Sequence, residues 1–476
     1  MGKFAALLCL ALALTWSGSP MAQESSVPKA ATPMVSGLDG DWAGELQVGG
    51  RSLRLALHIT TGPDGTKATV DSIDQSAFAM PVSSISRDGA KVRVEIKAIA
   101  GVYEGVLAAD GASMSGTWTQ GGNSLPLNYT RQARGTPQAK LVRPQTPQPP
   151  FPYDEQKLSF ESPGAHATLA GTLTVPRGPG SYPAVVLIAG SGPNDRDETI
   201  FGHKPFWVLA DYLSRRGIAV LRYDKRGIGA SSGDYAHASS LDFAADAAAA
   251  VAWLRGRPEI NHAKIGLIGH SEGGIIAPIV ADRDPAIAFI VLLAGPGLNG
   301  EEILKLQGPL VERAAGAGPE KIAENQALNA RLYAIVKSAK TQAEIEAKAR
   351  PLLAEAAAKA GLPSTALDAQ AGAISSDWFR FFLTYDPLPA LREVRCPVLA
   401  LAGSKDLQVP AAENLPLLRQ ALAANPDATV EELPGLNHLF QIATTGGVGE
   451  YGASEQTLAP VVLETVTTWI EKRVGS

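Results

Sequence analysis

From residue 167 onward, short aliphatic and β-branched runs alternate with helical stretches, the pattern of a mostly parallel sheet covered by helices. Candidate strands lie at 167–175, 184–189, 218–223, 265–268, 288–293, 398–402 and 430–433. Between the fifth and sixth of these the connection runs for about 100 residues, where a plain crossover needs about 20 to 30. An insertion is therefore required. The spacing of Ile322, Leu328, Leu332, Ile335 and Val336, with charges at the other positions, predicts a helical cap over about 300–388.

At 476 residues the chain is long enough for two or three folded units. Over 36–132, alternating segments such as Leu53-Leu55-Leu57-Ile59 and Val92-Val94-Ile96 are punctuated by Gly62-Pro63-Asp64-Gly65 and Arg87-Asp88-Gly89, which predicts a small antiparallel β unit. Trp42 and Trp118 there resemble the strand-start tryptophans of lipocalin-like sheets. Plugging the core is the commoner use of such rings, with a ligand pocket as the alternative. Residues 133–154, with Pro144, Pro147, Pro149 and Pro150, have too few apolar residues to bury and predict an extended, semi-rigid linker to a larger domain over 155–476.

Lys3, the apolar run 4–16 and the small-residue stretch ending in Pro20-Met21-Ala22-Gln23 read as a signal peptide over 1–22, cleaved near Ala22, so the expected location is periplasmic or secreted. The apolar run is too short to span a bilayer and no later stretch is long enough, so no stable membrane insertion is expected. Of two cysteines, Cys9 falls in the signal and Cys396 stands alone, which excludes a disulfide framework. A net charge of -5, from 42 basic and 47 acidic residues without long single-sign runs, argues against nucleic acid as a partner. Metal-ligand spacings and phosphate-binding glycine motifs are missing from the sequence, so the expectation is no metal and no cofactor.

Two segments fit Gly-x-Ser-x-Gly: Gly229-Ala230-Ser231-Ser232-Gly233 and Gly269-His270-Ser271-Glu272-Gly273. The chemistry needs a serine on a sharp strand-to-helix turn that exposes its hydroxyl. Ser271 follows the apolar run Ile265-Gly266-Leu267-Ile268 and precedes a plausible helix, whereas Ser231 is followed by the polar loop residues Asp234, Tyr235 and His237. Ser271 is the candidate nucleophile and Ser231 is read as loop structure.

A serine hydroxyl needs a base to take its proton, and the base needs a third group to hold its tautomer. Of seven histidines only His438 lies after Ser271, in a loop just past a candidate strand. Asp406 likewise follows the strand 398–402, whereas Asp377 and Asp386 fall in the cap or its return, where capping or a turn accounts for them. The order Ser271, Asp406, His438 is the order of a triad in which loops at the carboxyl ends of a parallel sheet supply the groups. Two backbone donors are expected for the developing oxyanion, the N–H of Glu272 and that of Ser191 in the loop after 184–189.

These stretches, together with Asp195-Arg196-Asp197, Asp224-Lys225-Arg226-Gly227, Gly403-Ser404-Lys405-Asp406 and Asn437-His438, resemble a bacterial α/β-hydrolase of the branch that holds carboxylesterases and serine-aminopeptidase-like enzymes. The resemblance implies an α/β-hydrolase fold and hydrolysis of small carboxylic esters of short acyl chains through an acyl-enzyme, without a cofactor. Many relatives have His-Gly before the oxyanion residue, where this chain has Ala189-Gly190, and the lack of a Gly-Gly-Gly stretch argues against a long-chain lipase site. The alternatives are an aminopeptidase or amidase with the same triad, or a ligand-binding protein with an inactive hydrolase domain. Asp195, Arg196, Asp197 and Arg226 are read as loop-fixing ion pairs, Trp378, Phe379, Phe381 and Phe382 as core, and His270 as packing behind the turn.

Overall fold

The computed structural model describes residues 37–475 apart from 49–50, 64, 74–76, 100, 121–122, 134–141 and 361–363, so the expected signal peptide lies outside the described residues. Nine strands, β1 (Gly40–Val48), β2 (Arg51–Gly62), β3 (Gly65–Ser72), β4 (Ala77–Pro81), β5 (Ser84–Asp88), β6 (Lys91–Ile96), β7 (Gly101–Leu107), β8 (Ser113–Gln120) and β9 (Asn123–Arg131), make one antiparallel sheet in the order β4-β3-β2-β1-β9-β8-β7-β6-β5. Alternation sets its inner face: Val92, Val94 and Ile96 of β6 are buried while Lys91 and Arg93 point outward. Trp42 and Trp118 belong to the core of this sheet, and the indole N–H of Trp42 donates to the Leu38 carbonyl at 2.9 Å.

The second unit is an eight-stranded sheet in the order β10-β11-β13-β12-β14-β15-β16-β17, built from β10 (Tyr153–Ser162), β11 (Ala167–Pro176), β12 (Tyr182–Ile188), β13 (Ala219–Tyr223), β14 (Ile260–His270), β15 (Ile290–Leu293), β16 (Val398–Gly403) and β17 (Ala428–Leu433). From β13 to β17 neighbours run parallel, while β10 and β11 pair antiparallel at one edge. Helices cover both faces. On one side lie α2 (Ser240–Arg255) and α3 (Gly273–Arg283), and on the other α1 (Pro205–Ser214) and α11 (Pro460–Val474). Strand residues alternate between the layers: Val186 and Ile188 pack with α2 and α3, Val185 and Leu187 with α1 and α11. Burial on both faces is why β15 and β16 read as continuous apolar runs.

Between β15 and β16 the chain leaves the sheet as α4 (Gly300–Ala314), α5 (Pro319–Ser338), α6 (Gln342–Ala360), α7 (Ser364–Ser375) and α8 (Asp377–Thr384), returning through α9 (Leu388–Glu393), and α10 (Ala411–Ala421) follows β16. This topology is the α/β-hydrolase fold with a helical cap, preceded by an antiparallel β domain. Among the described residues no helix is long and apolar enough to cross a membrane.

Two differences from the sequence reading have physical causes. Strand β10 begins at Tyr153, inside the expected linker, and its pattern of mostly exposed polar residues is that of an edge strand, which periodicity alone does not separate from a loop. Residues 142–148 also depart from a free spacer. The Arg143 guanidinium donates to the carbonyls of Ser454, Phe201 and Gly452 at 2.6, 2.8 and 2.8 Å. Both ends of the Gln145 amide bind the backbone of Thr457 and Leu458. A segment with no core of its own is thus held by its polar side chains.

Candidate active site

Ser271 stands between β14 and α3 with φ of 53°, a left-handed conformation that a non-glycine residue adopts only when its surroundings enforce it. The enforcement is visible in the neighbours. The Ser271 N–H donates to the Leu293 carbonyl and Gly274 N–H to the Ser271 carbonyl, both at 2.8 Å. A Cβ at Gly269 would overlap the Gly273 carbonyl, and one at Gly273 would overlap that of Ile188. Both flanking glycines are therefore needed for the turn to close.

At the carboxyl end of β16, Asp406 Oδ1 accepts the N–H groups of Gln408 and Val409, both at 2.8 Å, and Oδ2 meets His438 Nδ1 at 2.8 Å. Asp406 and His438 are both buried. His438 sits after β17 in a loop that packs across Gly403, and Asn437 Oδ1 ties that loop by accepting from the amides of Leu439 and Gln441. With Nδ1 taken by Asp406, Nε2 is the ring atom left for a reacting group. Among the described residues no hydrogen bond joins the Ser271 hydroxyl to His438, whose loop is instead linked to the elbow through His270.

The loop after β12 lies against the Ser271 turn: a Cβ at Gly190 would stand 3.1 Å from Ser271 Cβ. The Gly190 carbonyl accepts from Lys225 Nζ at 2.6 Å and from Asn194 Nδ2 at 2.8 Å. Because a trans peptide points its N–H opposite to its C=O, those two bonds also set the direction of the Ser191 N–H. Lys225 reaches Glu272 Oε2 as well, at 3.1 Å, so one buried side chain ties the Gly190–Ser191 peptide to Glu272. Among the described residues neither amide donates to another protein group.

Ser231 is buried elsewhere. Its Oγ accepts from the Ala170 N–H and donates to the Asp224 carbonyl, both at 2.8 Å, which staples the loop after β13 to β11. Ion pairs occupy the charged motifs: Arg196 grips Asp224 through Nε and Nη2, Arg226 grips Asp246 through Nε and Nη2, and Arg222 pairs with Asp197. Next to Arg196, burial opposes ionisation of Asp224, but Arg196 and the backbone amides of Ala230 and Arg196 outweigh it and hold the carboxyl below its usual range.

Three participants carried no motif signal. Trp378 of α8, read as core, donates its indole N–H to Glu272 Oε1 at 2.7 Å and stacks on Phe382 at 5.1 Å, so the cap touches the residue after Ser271. Ser240 at the start of α2 donates to the same oxygen at 2.6 Å. Glu198, buried with φ of 52°, accepts the Gly190 N–H at 2.6 Å and faces His270 Nδ1 at 3.0 Å. A buried carboxylate in a polar loop has no periodicity to mark it. The only hint lay in its place a few residues beyond Gly190.

Three comparisons with known proteins found similar chains. Residues 139–431, more than half of the chain, match the family described as X-Pro dipeptidyl-peptidase (S15 family). Esterase EstD of Thermotoga maritima is 39% identical over 139 residues, 29% of this chain and 33% of that one. An uncharacterised protein of Mycobacterium tuberculosis is 34% identical over 112 residues, 24% of this chain and 36% of that one. The matches thus span about a third of the length of these curated relatives. Among solved structures, the Pyrococcus furiosus esterase Pf2001 aligns at 15% identity and TM-score 0.43 over 71% of this chain and all of that one. The α/β-hydrolase GrgF from Penicillium aligns at 17% and 0.43, over 68% of this chain and all of that one. The chain belongs to the S15 family and has the α/β-hydrolase fold.

Proposed function

We propose that the protein is a carboxylic ester hydrolase that transfers a short acyl group to Ser271 and then to water. The observation that carries this reading is the 2.8 Å bond between Asp406 Oδ2 and His438 Nδ1, in a loop that His270 links to the turn where Ser271 is held at φ 53°. Ser271 Oγ attacks the acyl carbon while His438 Nε2 takes its proton, and Asp406 holds the other ring N–H and stabilises the imidazolium. The negative oxygen is received by the N–H groups of Glu272 and Ser191. His438 returns the proton to the leaving alcohol, and water, deprotonated by the same nitrogen, frees the acid.

The family description and the same triad also fit a peptidase that removes residues from a peptide's N-terminus. Such an enzyme has to hold an ammonium group, which calls for an unengaged carboxylate. Three carboxylates at the elbow and its flanking loops are already engaged: Glu272 by Lys225, Ser240 and Trp378, Glu198 by Gly190 and His270, and Asp406 by His438. This favours esters, and the partial match to an esterase points the same way. The first 22 residues support export to the periplasm or beyond.

Ser271→Ala should abolish turnover of a short p-nitrophenyl ester and labelling by a fluorophosphonate. A labelled Ser271→Ala protein overturns the nucleophile. Esters of increasing acyl length assayed beside aminoacyl and X-Pro amides decide the substrate, and faster cleavage of the amides overturns the ester reading.

A further inference from the structure

His270, in the variable position before the nucleophile, is buried, with both ring nitrogens facing acceptors. Nδ1 lies 3.0 Å from Glu198 Oε1, and Nε2 lies 3.0 Å from the His438 carbonyl oxygen. A neutral imidazole carries one N–H and would turn its other lone pair against an oxygen. Glu198 Oε1 also accepts the Gly190 N–H at 2.6 Å, a short bond of the kind an ionised carboxylate makes. The arrangement is satisfied in full when Glu198 is anionic and His270 carries two protons.

We propose that His270 is a standing imidazolium, ion-paired to Glu198, and that the pair is a positioning device clamping the Gly190 loop and the His438 loop onto the Ser271 turn. The positioning half rests on the reading of Ser271 and His438 as nucleophile and base. One charged pair thereby fixes three chain segments: the loop after β12, the elbow after β14 and the loop after β17. His270 itself takes no proton from substrate, since its ring is 5.0 Å from that of His438 and both its nitrogens are occupied.

The surrounding charges agree. Burial works against charge on His270, but Glu198 through its charge and hydrogen bond, the His438 carbonyl and the Asp406 charge raise its pKa above the ordinary imidazole value. Of the other groups close by, Glu272 is turned to Lys225, Ser240 and Trp378, and His438 presents only its carbonyl to the His270 nitrogen. A raised folded-state pKa makes the clamp complete below the unfolded value and lost as pH rises through the folded one. Activity should then have an alkaline limb that belongs to His270.

The test uses the full chain. Ring-nitrogen NMR at neutral pH, with the signal assigned by its loss in His270→Gln, should show both His270 nitrogens protonated. A single bare ring nitrogen overturns the ion pair, and this readout needs no substrate. In Glu198→Gln the alkaline limb of fluorophosphonate labelling should move down by about one pH unit or more, and kcat should drop about tenfold with KM little changed. Should Glu198→Gln not fold, His270→Gln should lose the alkaline limb altogether. Unchanged labelling rate and pH profile in a folded variant overturn the clamp. If Ser271 is never labelled in the parent protein, the nucleophile reading fails and the positioning role with it, while the spectrum still decides the ion pair.

Discussion

Lys225 Nζ donates to the Gly190 carbonyl at 2.6 Å and lies 3.1 Å from Glu272 Oε2, a buried link between the loop after β12 and the residue that follows Ser271. A donor aimed in advance is worth more to a developing oxyanion than one that must turn during reaction. Lys225→Met keeps the stem but removes the link, and kcat for a short ester should fall roughly 10- to 100-fold with KM nearly unchanged. Because Glu272 would be left buried without its cation, the measurement should include Lys225→Met/Glu272→Gln, which removes the unpaired charge. Full kcat in the double variant rejects the role of Lys225 in aiming the amides.

Ser231 separates structure from chemistry. Its hydroxyl joins the Ala170 amide to the Asp224 carbonyl, so Ser231→Ala should cost about 1–3 kcal/mol in urea unfolding. Kinetics of the folded variant should stay within about twofold of the parent, since a lost structural hydrogen bond alters the folded fraction and not the reacting groups. A loss of turnover without loss of stability would contradict the structural role.

His203 links stability to pH. It is buried with Nδ1 at 2.8 Å from Thr457 Oγ1 and Nε2 at 2.9 Å from the Tyr451 carbonyl. Burial and the nearby Arg143 charge push its pKa down to about 4. The folded protein thus binds fewer protons than the unfolded chain between that value and the ordinary imidazole range. This contribution is complete above about pH 6.5 and lost as pH falls toward about 4, at most about 3 kcal/mol. His203→Gln should flatten the fall of Tm across that window, and parallel curves for the two proteins would reject the assignment.

Arg143 tests whether the segment before the hydrolase domain matters to it. Its guanidinium serves three carbonyls, two of them at Gly452 and Ser454, and the neighbouring Tyr451 hydroxyl accepts from Gln408, two residues past Asp406. Arg143→Ala should destabilise the domain by about 2–3 kcal/mol and lower kcat/KM several-fold. Arg143→Lys, with one compact ammonium, should recover little, because it cannot span carbonyls that a planar fork reaches. Unaltered unfolding in Arg143→Ala would show that the contact contributes nothing.

The parts of this molecule that were legible from residues alone are those whose signal is local. Apolar runs such as 184–189 and 398–402 announce doubly buried strands, and an elbow must have a strand before it and a helix after it, which chose Ser271 over Ser231. Chain order left one histidine for a base, and a place just after a strand of the sheet favoured Asp406 as the acid. The structure places Asp406 Oδ2 and His438 Nδ1 2.8 Å apart although the residues are 32 positions apart in the chain.

What only the tertiary structure decided are contacts between segments distant in the chain. Trp378 and Glu272 are 106 positions apart, and Gln145 and Leu458 are 313 apart, so neither pair leaves a spacing to read. Glu198 and Lys225 are polar residues whose burial is acceptable only because each finds partners on another loop, and a linear sequence does not display those partners. The surroundings of Ser271 follow the same division. Its setting in a strand-turn-helix came from the sequence by itself, through periodicity and glycine. Its place beside the Gly190 loop and its link to the His438 loop came from the folded chain, because the bonds of Lys225 to Gly190 and of His270 to His438 form only once the loops at the carboxyl ends of the sheet have met.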